Sequence, residues 1–194
     1  GVARDWEILA IEYPFEIPLD DDEGNPSLLA IKGKIDILAR HRESGLVWIW
    51  DHKSGKDLPS EMALEIDDQF GLYSWAMHKL GYQVGGSLHN AARTQQNVGD
   101  LATEEELAKN KALKRQTLDQ RMKRTLLNRS KQECINLARD AWAAAMNAYP
   151  PPDRKLPLYS SPDPRQCSWK CDIKEVHLIA RTGRDIHKVL REYG

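Results

Sequence analysis

Cysteine is scarce: three in 194 residues. An odd, small number excludes a disulfide-stapled secreted scaffold and leads us to expect a reducing, cytoplasmic setting. No apolar run approaches the roughly 20 residues that a membrane-spanning helix needs, and no signal-peptide pattern opens the chain. Charge of one sign is also missing. The net charge is −1, although 29% of residues are charged, so any contact with a polyanion must come from a local patch. Glycine and proline are absent from residues 103–148, which removes the usual breakers and favours one or two helices there. The chain has no initiator Met and opens at Gly1, within what reads as a structural element, so it is expected to be part of a longer polypeptide.

What is present suits one α/β domain over residues 1–194, since 41% apolar composition is enough for a real core. Residues 6–17, 28–40 and 46–53 are rich in β-branched and aromatic types and read as strands. The third is apolar at almost every position, as a central strand covered on both faces would be. A turn is expected at 20–26 from its Asp, Gly, Asn and Pro content. Apolar residues recur at helical spacing over about 61–80. A Gly-interrupted fourth strand fits residues 82–90.

The chemistry lies between residues 33 and 53. The polar link HRESG joins two strands with Glu43 and Ser44 at its tip, and a hairpin symmetric about them sets Asp36 opposite Asp51. Two opposed carboxylates repel, and a fold does not keep them facing without a cation. Lys53 stands two residues after Asp51 and so shares its face. The set fits a hard-cation site beside a group that handles protons or stabilises charge. A one-residue slip in register would move Asp36 to the other face, and Asp-x-Lys alone is a common surface pattern.

The wider pattern is more specific. Gly33-x-x-Asp36, then Asp51-x-Lys53-Ser54-Gly55, then Gln69-x-x-x-Tyr73 on the following helix resembles the RecB-like PD-(D/E)XK nucleases, a family that includes phage exonucleases and CRISPR-adaptation nucleases. The resemblance implies a restriction-endonuclease-like fold, a mixed central sheet flanked by helices, and Mg²⁺- or Mn²⁺-dependent hydrolysis of DNA in recombination or repair. It implies that Asp36, Asp51 and the backbone carbonyl of His52 bind the metal. Lys53 would position or deprotonate the attacking water, or stabilise charge on the phosphate. Gln69 and Tyr73 would hold the DNA strand over the site; without the family they read as an ordinary amphipathic helix.

Two departures stand out. Such nucleases take a further His or Glu ligand from a helix before the first strand, and that N-terminal helix is expected to be missing here. Glu12 and Glu16, on one face of the first strand, are weak substitutes. Many relatives also clamp a [4Fe–4S] cluster with one upstream and three C-terminal cysteines. In the segment 165–180, Cys167 and Cys171 keep the spacing, but His177 takes the next place, so zinc or a degenerate site are alternatives. Cys134, in an apolar helix, is expected in the core.

Between Lys109 and Lys131 stand nine Lys or Arg residues and one acid, Asp119. Lys111, Lys114, Lys123 and Arg124 are either a solvated helix face or a track for DNA phosphates. Thr103 before Glu104–Glu106 suits a helix cap. The rival to an active nuclease is a DNA-binding or assembly subunit with the fold but impaired catalysis.

Overall fold

The structure, a computed structural model, describes residues 2–148. One helical turn, α1 (Val2–Asp5), leads into strand β1 (Trp6–Asp20). Strands β2 (Pro26–His41), β3 (Val47–Gly55) and β4 (Val84–Arg93) follow where β-rich composition places them. Between β3 and β4 run α2 (Glu61–Ile66) and α3 (Asp68–Lys79). The sheet order is β1-β2-β3-β4-β5. All neighbours are antiparallel except β3 and β4, whose parallel pairing requires the α2–α3 crossover. The result is a mixed five-stranded sheet flanked by helices, as expected.

The helix expected over 61–80 is two helices. Asp67 is extended and ends α2, while its carboxylate accepts the Gln69 N–H at 2.9 Å and so starts α3. A side chain able to cap the next segment breaks the helix although no Gly or Pro intervenes.

The region 103–148 departs further from expectation. It holds α5 (Glu104–Lys109), α6 (Leu118–Arg121), strand β5 (Met122–Leu127) and α7 (Lys131–Ala148), after the single turn α4 (Val98–Leu101). Thr103 caps α5 as expected, exchanging hydrogen bonds with Glu106. Residues 122–127 form a strand because the open edge of β4 satisfies their backbone groups, a tertiary gain that outweighs helix propensity.

One face of the sheet packs on α3 and α7 around Phe15, Leu38, Ile49, Trp75, Met77 and Trp142. Cys134 lies in this core, and burial pushes its thiol up to about 11. The opposite face carries Ala39, Trp50 and Leu88, with Trp6 edge-on to Trp48 and Trp50. Strict alternation fails next to Asp36: Ile35 and Leu38 share the α3/α7 core, whereas Ile37 and Ala39 pack on the tryptophan side. Here β1 carries Glu12 at φ 54°, a left-handed conformation that a non-glycine residue adopts only under external constraint. Among the described residues no helix is long and apolar enough to cross a membrane.

Candidate active site

The β2–β3 hairpin has the symmetric register read from its tip. Ile37 pairs with Trp50, Leu38 with Ile49, Ala39 with Trp48 and Arg40 with Val47. One step further the strands begin to part, and the Asp36 carboxylate accepts the His52 backbone N–H at 2.7 Å. Asp36 is therefore tied to β3 beside Asp51 by its side chain.

Asp51 is 2% exposed. Its Oδ1 accepts from Lys53 Nζ at 2.9 Å and from Gln69 Nε2 at 3.1 Å. Its Oδ2 is buried and has no hydrogen-bond partner among the described residues. A buried carboxylate oxygen without a donor is costly unless a cation or water completes it. Partial burial pulls the Lys53 ammonium down, but the hydrogen bond to Asp51 and the charges of Asp51 and Asp36 outweigh it, so its pKa stands above the ordinary lysine value. Lys53 is thus held as a cation.

Gly33 explains the first position of the motif. A Cβ there would stand 2.4 Å from Phe15 Cζ and 3.1 Å from Tyr73 Cε1. Phe15 and Tyr73 pack edge to face, with ring centroids 5.3 Å apart. The missing side chain lets α3 settle onto the sheet, which brings Gln69, one turn before Tyr73, to Asp51.

Other expected residues are placed differently. Glu12 and Glu16 form exposed ion pairs with Lys34 and Lys32 of β2. Lys111 and Lys114 lie on the exposed loop between α5 and α6, not on a helix, and the Lys114 carbonyl accepts from Asn97. Lys123 and Arg124 are consecutive on β5 and face opposite sides. Lys123 reaches Glu61 of α2, at 3.2 Å, on the side of Asp51; Arg124 donates to Asn90, at 2.7 Å, on the other. Cys167, Cys171 and His177 lie outside the described residues.

Two side chains were not singled out from sequence. His89 of β4 is the register partner of Asp51. It is 3% exposed, packs edge-on against Phe70, and places Nε2 3.9 Å from Asp51 Oδ2. Burial lowers its pKa below the ordinary histidine value, which disfavours the charged form. Arg129, just before α7, donates to the carbonyls of Leu64, Glu65 and Asp67 at 3.2, 2.6 and 2.9 Å. It gathers the C-terminus of α2 and fixes the break that starts α3. A histidine inside an apolar strand was a visible signal; its pairing with Asp51 depends on the crossover.

The chain matches the family model of the PD-(D/E)XK nuclease superfamily over residues 2–176. It belongs to that superfamily. Comparison with curated proteins finds no match. Among the described residues no three His, Cys, Asp or Glu side chains form a ready metal cage. The donors that are present, two carboxylates with one buried unpartnered oxygen, still fit a hard cation such as Mg²⁺. That ion characteristically keeps several waters and is held by one or two carboxylates plus substrate phosphate.

Proposed function

We propose that this protein is a metal-dependent deoxyribonuclease of RecB-like type, acting as an exonuclease in recombination or repair. The observation that carries the reading is the convergence of Lys53 and Gln69 on one oxygen of buried Asp51 while the other oxygen is unpartnered. Asp36, Asp51 and the His52 carbonyl would hold Mg²⁺ or Mn²⁺. Held there, such an ion would supply polarisation of the phosphate and acidification of the attacking water. Lys53, fixed as a cation, orients that water or offsets charge growing on the phosphoryl oxygens. The ion pair with Asp51 holds the Lys53 ammonium at the site. Gln69 turns the Asp51 carboxylate, and Tyr73 lies beside it on α3 where a DNA strand would pass.

The test is cleavage of linear and covalently closed DNA by the wild type and by Asp51→Asn, with Mg²⁺, with Mn²⁺ and with EDTA. Wild-type digestion of linear DNA alone, lost in EDTA and in the folded mutant, is the expected result. Equal cleavage by the mutant would refute the site. DNA binding without cleavage by the wild type would favour the impaired, DNA-binding subunit.

A further inference from the structure

Asp51 is one member of a polar row that crosses the sheet. Its register partner on β4 is His89, and the register partner of His89 on β5 is Thr125. Partners in a ladder project to the same face and stand close enough to touch. Each of the three has a buried polar atom without a partner among the described residues: Asp51 Oδ2, His89 Nδ1 and Thr125 Oγ1. Three adjacent buried polar groups, each lacking a partner, are not an ordinary core.

The facing of His89 Nε2 and the Asp51 carboxylate favours one polarity for this row. A carboxylate only accepts, neutral imidazole has one donor and one acceptor nitrogen, and a hydroxyl can donate. His89 Nε2 faces Asp51 Oδ2 at 3.9 Å, so the proton belongs on Nε2. Nδ1 would then be the acceptor, and the unpartnered Thr125 hydroxyl, its ladder neighbour, would be the donor available to it. The 3.9 Å separation is closed by a small turn of the carboxylate or bridged by one water.

We propose that His89 and Thr125 are positioning residues, a Thr125→His89→Asp51 relay of hydrogen bonds that locks the histidine tautomer and aims the Asp51 carboxylate at the metal. The inference rests on the nuclease reading of Asp51 for its purpose, but not for its geometry. Partners behind a ligand that fix its orientation are typically worth roughly 10–100-fold in metal affinity or activity. Phe70 stands edge-on to the imidazole.

Two measurements on the whole protein test it. The first is the ¹⁵N chemical shifts of the His89 ring without metal, in the wild type, Thr125→Val and Thr125→Ser. The proton is expected on Nε2 in the wild type and Thr125→Ser, with a mixture of tautomers in Thr125→Val. The second is Mn²⁺ affinity by electron paramagnetic resonance. His89→Leu should bind Mn²⁺ roughly 10–100-fold more weakly, and His89→Gln, whose amide N–H can replace Nε2–H, should recover most of the loss. A proton on Nδ1 in the wild type overturns the relay. So does Mn²⁺ affinity within twofold of wild type in folded His89→Leu. If His89→Leu does not fold, the Thr125→Val and Thr125→Ser pair decides by the same readouts. A wild type that binds no Mn²⁺ refutes the metal reading of Asp51, and the tautomer then decides the relay alone.

Discussion

Gly33 shows how one absent side chain can organise a site. The Phe15 and Tyr73 rings close over its Cα, and α3 could not approach the sheet with a methyl group between them. Gly33→Ala should cost about 1–3 kcal/mol through overpacking, lowering the melting temperature by roughly 2–4 °C for each kcal/mol. It should also depress cleavage more than that loss of folded protein explains, because Gln69 retreats from Asp51; thermal melts and specific activity measured together check both. Cys134 gives the pH counterpart. Burial raises its pKa from 9.0 to about 11, so between those values the unfolded chain releases a proton that the native protein keeps. The associated stability is complete below pH 9 and is lost as the pH rises through 11. Urea melts of Cys134→Ala should show a weaker alkaline decline than the wild type. At this scale the sequence was most readable: hairpin register sets Asp36 beside Asp51 and strand alternation brings Lys53 to it, both local rules, whereas Gln69 was legible only through the family resemblance and arrives by the packing of α3. His89 and Thr125 escaped because their places are set by pairing across a crossover.

The elements with strong internal periodicity, β1 to β4 and the later part of α7, stand close to where composition puts them. Misplaced elements are those decided by partners. Residues 122–127 have no breaker and good helix formers, yet the exposed edge of β4 draws them into a strand. The α2–α3 break likewise depends on Asp67 and on Arg129, more than sixty residues later in the chain. Arg129→Met should therefore destabilise the protein by on the order of 3 kcal/mol, since three carbonyls lose a charged donor inside the structure. Arg121→Ala, at an exposed position on α6, should stay within about 0.5 kcal/mol. Chemical denaturation of the two mutants separates a clamp from an ordinary surface arginine; equal midpoints would remove the clamp.

For the whole molecule, a net charge of −1 supplies no overall attraction for a polyanion, and the proposed DNA binding would depend on which face carries cations. The two faces of β5 divide the basic region that reads as one patch in sequence. Lys123 stands on the face of Asp51 and Lys53, whereas Arg124 stands on the reverse. Lys123→Ala should reduce the slope of log affinity against log salt by about 0.9, the share of one phosphate contact. Arg124→Ala should leave the slope unchanged. Binding titrations at several salt concentrations distinguish them, and equal slopes for both mutants would place the DNA elsewhere.

The parallel pairing of β3 with β4 also has a consequence in time. Asp36 and Asp51 meet within a hairpin, a local event that closes in microseconds. His89 and Thr125 join them only after the α2–α3 crossover has docked and β5 has reached the β4 edge, contacts of long sequence separation that form slowly. A chain caught midway would own both acidic residues yet lack the neighbours that aim them. Under the proposed relay, competence for chemistry would wait for the last stage of folding, when the sheet is whole.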